Sequence, residues 1–213
     1  MDRPGGPSVV RMTSITSITL DVPDISAARI FYDKAFGLGD QIRFRTAQAP
    51  TVGFRGYVLS LVVADPAVVD SLVHPALDAG ATELKPVKKS FWGYGGVVAA
   101  PDGSIWKVAS SSKKDTGAPA RQIDDIVFLI GADDVAASKQ FYVDHGLAVA
   151  KSFGRKYVEF EGAPGSVKLA LYGRRAAAKD AGVDADGSGS HRLTVGSSAG
   201  AFTDPDGFEW EAE

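Results

Sequence analysis

The sequence predicts an α+β fold made of two related halves, and three observations predict it. A helical segment occurs twice, as Ser26-Ala27-Ala28-Arg29-Ile30-Phe31-Tyr32 and as Ala136-Ala137-Ser138-Lys139-Gln140-Phe141-Tyr142, with exits at Gly37-Leu38 and Gly146-Leu147. A Pro-Asp-Gly turn closes each copy, Pro101-Asp102-Gly103 leading to Trp106-Lys107 and Pro205-Asp206-Gly207 leading to Trp210-Glu211. An alternating strand opens each copy, Ser17–Val22 and Asp125–Ile130. A repeat of this length indicates internal duplication.

Residues 14–22 alternate with the two-residue period of a strand. Pro23-Asp24 supplies a turn, with Asp24 or Ser26 placed to cap a helix. Ala27, Ala28, Ile30, Phe31, Ala35 and Phe36 then form a helical apolar stripe, which Gly37 ends. Strands are expected around 40–46 and 56–63, followed by a helix over 67–79 that Pro75 kinks or splits. Residues 82–85, 95–100 and 104–109 read as strands, with Pro86 ending the first. The polar, breaker-rich run 111–121 is the linker. The second half repeats the plan with a strand at 123–130, a helix at 134–145 and strands near 148–153, 155–161 and 166–172. A short helix at 174–181, a loop at 184–189, a brief strand at 191–195 and a last strand at 208–212 complete it. The halves are therefore 13–110 and 122–213, after a disordered tail over 1–12. The second half lacks the helix that the first carries at 67–79.

Composition excludes several classes of function. A net charge of −3 offers no basic surface for nucleic acid or an anionic membrane. With no cysteine there is neither disulfide nor thiolate chemistry, which fits a reducing cytoplasm. No apolar run reaches the roughly 18–20 residues of a membrane span. The start, Met1–Ser8, has no apolar core of a secretory signal, and Met12 is a second candidate start. A cytoplasmic protein is expected.

The opening strands, the repeated Phe-Tyr helices with their Gly-Leu exits, the Pro-Asp-Gly-x-x-Trp closures and Phe91-Trp92-Gly93-Tyr94-Gly95-Gly96 together resemble the vicinal oxygen chelate superfamily. This is the superfamily of glyoxalases, bleomycin-resistance proteins and extradiol dioxygenases. The resemblance covers residues 13–213. It implies that each half is a pair of βαβββ modules whose curved mixed sheets form a cup around a ligand site. Members include enzymes and binders, so the fold alone does not choose between them.

The resemblance also implies where a metal would sit, on the first, a middle and the last strand of a cup. In the first half these positions fall at Ser17, near Val58 and at Lys107, a set that repels a cation. In the second half they fall at Asp125, His191 and Glu211, a hard donor set suited to Fe, Mn or Zn. Against a metal site, Glu211 alternates with Trp210 and Ala212, as a residue on a solvated strand face would. His191 follows a Gly-Ser loop, and Asp125 lies at a strand start. His74 and His145 read as structural histidines, the second at a helix C-terminus where a cation suits the dipole.

Phe54, Tyr57, Trp92 and Tyr94 are the candidate ligand-binding residues, since aromatic rings with a polar handle suit a small hydrophobic or amphipathic ligand. Lys85, Lys88 and Lys89 form a solvated cluster placed to draw an anion to the rim. Three readings follow. One is metal-free binding or sequestration of a small hydrophobic molecule. Another is a divalent-metal-dependent lyase, isomerase or dioxygenase using Asp125, His191 and Glu211. A third makes one cup a homodimer interface or scaffold.

Overall fold

The computed structural model of the protein describes residues 13–213, so the tail expected over 1–12 lies outside the described residues. The first half comprises β1 (Ile15–Val22), α1 (Ile25–Ala35), β2 (Ile42–Thr46), β3 (Thr51–Gly53), β4 (Tyr57–Val62), α2 (Pro66–Asp78), β5 (Thr82–Ser90), β6 (Gly93–Ala99) and β7 (Ile105–Ser110). The second comprises β8 (Asp125–Ala132), α3 (Val135–Asp144), β9 (Val149–Phe153), β10 (Tyr157–Phe160), β11 (Lys168–Gly173), α4 (Arg174–Ala181), β12 (Gly187–Gly189), β13 (Leu193–Ser197), β14 (Phe202–Thr203) and β15 (Glu209–Ala212).

Both repeat helices start on an aspartate whose carboxylate accepts two otherwise unpaired amides. Asp24 takes those of Ser26 and Ala27 at 2.7 and 3.0 Å, and Asp134 those of Ala136 and Ala137 at 2.9 and 3.2 Å. Pro75 does not split α2. It sits in the last turns, and the Ser71 carbonyl left without a helical donor accepts from Arg121 Nη1 at 3.5 Å. Nor does Pro86 end β5, because β5 is an edge strand that bulges on both sides of Lys85, where no ladder donor is needed.

The α+β fold holds, with curved mixed sheets, but the sheets are not divided by halves. The segments β4–α2–β5–β6–β7 and β8–α3–β9–β10–β11 are complete βαβββ modules. In each, the closing strand runs parallel to the opening one, as in Ser60↔Lys107 and Lys168↔Val127. An antiparallel β4–β8 pairing joins them into one eight-stranded sheet in the order β5-β6-β7-β4-β8-β11-β10-β9. The shortened remainders, β1–α1–β2 and β13–β15, meet through β1 and β13 in a five-stranded sheet, β14-β15-β13-β1-β2. A separate cup in each half is thus corrected to sheets shared between halves. The linker explains the exchange. Asp65 accepts from the Thr116 and Ala118 amides at 2.9 and 3.2 Å, and Asp115 from Ala67, which folds the linker back over α2. The Asp124 amide then reaches the Val62 carbonyl at 2.9 Å, delivering β8 beside β4.

One core lies between the sheets, enclosed by α1, α2 and α3, with Ile18, Leu20, Leu59, Leu72, Phe128 and Val195 among its buried members. The repeated tyrosines tie the helices to the closing turns. Tyr32 donates to Asp102 at 2.7 Å and shares a 2.7 Å hydrogen bond with Ser104, while Trp106 Nε1 donates to Ser104 at 3.1 Å. Tyr142 donates to Asp204, which also accepts from Trp210 Nε1 at 3.0 Å. Phe208 stands where the first copy has Ser104, so the acceptor moves to the carboxylate at 204. Among the described residues, no helix is long and apolar enough to cross a membrane.

Candidate functional site

The face of the eight-stranded sheet turned away from α1–α3 is fixed by strand alternation. It carries Val58 and Ser60 on β4, Ile105 and Lys107 on β7, Leu129, Val127 and Asp125 on β8, and Ala170 and Lys168 on β11. Helix α4 lies on the apolar part of this face. Its Ala177, Ala178 and Ala181 are buried against Val58, Val97, Leu129 and Ala170. Alanine lets the helix approach closely, and Gly182, in the left-handed conformation (φ 82°), ends it. Two lysines of the first half grip the last turn of α4. Lys107 Nζ lies 2.6 Å from Asp180, and Lys85 Nζ donates to the Lys179 carbonyl at 2.7 Å.

Beside α4 a recess of about 230 Å³ stays open. Lys107, Ala109, Gly95 and Val97 line its sheet side, and Lys85, Lys88, Trp92 and Asp180 lie around it. It is a small space, below the roughly 300–1,000 Å³ usual for ligand pockets. A larger groove of about 550 Å³ lies elsewhere, against α1, the end of α2 and the Pro101-Asp102 turn.

The four aromatic candidates divide. Trp92 borders the recess and is 83% exposed. Tyr94 also borders it, but its hydroxyl donates to Asp70 of α2 at 3.0 Å, on the helix-covered side. Burial, then Asp70, raises the Tyr94 pKa. Phe54 is buried in the cluster around α4, with the Arg174 guanidinium over its ring at 5.3 Å. Tyr57 is buried in the main core between Phe128 and Phe208. As a ligand contact, Tyr57 is therefore corrected to a packing residue, closed over by the main core. Phe54 packs under α4 and also borders a separate recess of about 350 Å³ with Leu84, Ile105 and Val183.

The three metal candidates do not come together, and among the described residues no three His, Cys, Asp or Glu side chains form a group able to hold an ion. Asp125 opens β8 and is engaged by Lys168 Nζ at 2.7 Å. His191 lies at the other end of that strand. Its ring would stand 3.4 Å from a side chain at Gly56, whose carbonyl accepts from Gly131. At ~3.3 Å per residue, Asp125 and His191 are roughly 20 Å apart. Both nitrogens of His191 face carbonyl oxygens, Nδ1 that of Arg55 at 2.6 Å and Nε2 that of Asp206 at 3.1 Å. Its ring stacks on Phe208 at 3.9 Å. The histidine bolts the 54–56 loop to the closing turn of the second half. Glu211 stands exposed on the five-stranded sheet, 3.8 Å from Arg45. That guanidinium also donates to Asp21 and Thr194, each at 2.9 Å. Among the described residues, the three at the expected positions do not fit a divalent metal. The closing strands of the complete modules present the ammonium groups of Lys107 and Lys168, and in the other sheet arginines meet the carboxylates.

His74 is exposed. His145 ends α3 with its ring on Phe141, at 4.1 Å between centroids. Lys168 and Asp180 are the residues that sequence reasoning missed. The alternation of strand 166–172 was a signal for Lys168, whereas nothing local shows that 174–181 docks onto the sheet.

No family model matches the sequence, and no curated protein matches it. Among solved structures, glyoxalase I from Zea mays aligns with 94% of this chain and 92% of its own, at a TM-score of 0.60 and 13% identity. A candidate dioxygenase from Bacillus subtilis aligns with 94% of this chain and 84% of its own, at a TM-score of 0.60 and 12% identity. At such identities the likeness is one of fold. It spans nearly the whole chain, so the protein has the fold of glyoxalase I and the vicinal oxygen chelate proteins.

Proposed function

We propose, from this shared fold, that the protein is a cytoplasmic small-molecule binder that works without a metal. Its recess beside α4 would take a single-ring aromatic molecule bearing an anionic group. One observation carries the reading, namely that the open part of the cup face combines an exposed indole with three lysines. Trp92 offers a flat apolar surface, and Lys85, Lys88 and Lys107 outnumber the one carboxylate of the lining, Asp180, which Lys107 contacts, so the space, which admits little more than one ring, keeps a net positive charge. An aromatic face and a cation near it also suit ring stacking with a directed charge contact. No reaction is assigned, because the metal-dependent alternative lacks a convergent donor set.

The test is a fluorescence titration with a panel of aromatic carboxylates and phosphates. Trp106 and Trp210 are buried, so Trp92 reports on the recess. Saturable quenching is expected, unchanged by chelator. Trp92→Ala should weaken binding, followed calorimetrically, by about tenfold or more, equivalent to ~1.4 kcal/mol. Lys88→Glu should weaken anionic ligands more than their neutral amides. A panel without saturable binding, or equal affinity for acids and amides, would sink the reading.

A further inference from the structure

The β5–β6 hairpin ends in Phe91 and Trp92, both 83% exposed, with rings set edge to face at 5.0 Å. The tip is held in shape. The Trp92 amide donates to Ser90 Oγ at 3.2 Å, that hydroxyl donates to the Gly93 carbonyl, and Gly93 takes φ 140°. Lys88, Lys89, Lys113 and Lys114 are exposed in and beside the hairpin, and Lys113 Nζ lies 5.8 Å from the Phe91 ring centre. At the far end of β6 is the groove of about 550 Å³ whose apolar lining includes Ile30, 71% exposed. Its charged lining is mainly acidic, with Asp24, Asp78 and Asp102 against one lysine, Lys34. Trp92 and Pro101 lie on either side of β6, nine residues apart and thus separated by roughly 30 Å, so a molecule's tip cannot enter its own groove.

We propose that the aromatic tip of one molecule docks into the α1–α2 groove of a second copy, head to tail. The chain displays both halves of one complementary contact, an aromatic wedge collared by lysines and an apolar slot edged by carboxylates. Because the two surfaces differ, the contact is heterologous and extends into a ring or an open row. An anionic membrane is the less favoured partner for the same wedge, because the chain as a whole carries a net charge of −3. The contact does not depend on the small-molecule reading, since Phe91 and Ile30 lie outside the recess.

Sedimentation equilibrium of the full chain tests it. The weight-average mass should rise above the monomer as concentration approaches the millimolar range. It should fall back at about 1 M salt, where the Debye length is roughly 3 Å. Phe91→Glu, which sets a carboxylate against the acidic groove, and Ile30→Lys, which sets an ammonium against the basic tip, should each be monomeric. Both sites are exposed, and unchanged thermal melts would show that the variants fold. An equimolar mixture of the two variants retains one intact tip and one intact groove, and should associate again. A wild-type chain that stays monomeric overturns the proposal. So does association lost in only one variant, or a mixture that stays monomeric. Phe91-dependent sedimentation of a monomeric chain with phosphatidylserine vesicles overturns it in favour of the membrane.

Discussion

Single residues decide how the two copies of the repeat differ. In the first copy the Tyr32 hydroxyl meets Asp102, which is partly exposed, so water can replace it if it is lost. In the second, Tyr142 meets Asp204, a carboxylate only 5% exposed. Burial is the first cause that raises the pKa of both phenols well above the usual tyrosine range, so both stay protonated donors. Tyr142→Phe should therefore cost more than Tyr32→Phe, about 1.5–3 kcal/mol for a hydrogen bond lost to a buried charge. Urea denaturation of the two variants checks the ranking. The sequence shows both tyrosines and both turns, because the motif is local. It does not show that Phe208 in place of Ser104 moves the acceptor to position 204. The metal candidates fail for a related reason. The resemblance puts Asp125, His191 and Glu211 on strands of one half, while β4 pairs with β8 and β1 with β13 between halves.

Among the elements, α2 has its start and the linker fastened by one group. Hydrogen bonds from the Thr116 amide first, then from the Thr116 hydroxyl and the Ala118 and Val68 amides, hold the Asp65 carboxyl below its usual range. A depressed carboxylate stabilises the fold fully above its unfolded pKa of about 3.9 and loses that contribution as pH falls through the lower folded value. Asp65→Asn should lower the urea midpoint at neutral pH and flatten its decline on the acid side. An acid limb identical to that of the wild type would remove Asp65 from this role. The ribbon of β3 and β12 makes a second element-level prediction. A methyl group at Gly187 would stand 2.1 Å from the Phe54 carbonyl oxygen, so Gly187→Ala should peel the ribbon and speed amide exchange at Phe54, whose amide donates to Asp186. Element positions were legible from periodicity and capping. The docking of α4 on the sheet was not, since its three buried alanines read the same on any helix.

For the whole molecule, strand exchange between halves joins two repeats into one cooperative unit. Removing either half would leave a raw edge along β4 or β8, and along β1 or β13. A single urea transition is expected, with tryptophan fluorescence and far-UV ellipticity coinciding, and two resolved transitions would contradict the shared sheets. The repeat revealed the duplication, but which edges meet depends on contacts far apart in sequence that no local pattern records. The same arrangement sets an order of events on the ribosome. The eight-stranded sheet has all its strands once β11 has emerged, whereas β1 must wait for β13. At about 5–20 residues per second, that wait lasts roughly ten to thirty seconds. Through that interval the emerging chain carries β1 without its β13 partner, and the apolar face that β13–β15 later cover stays open.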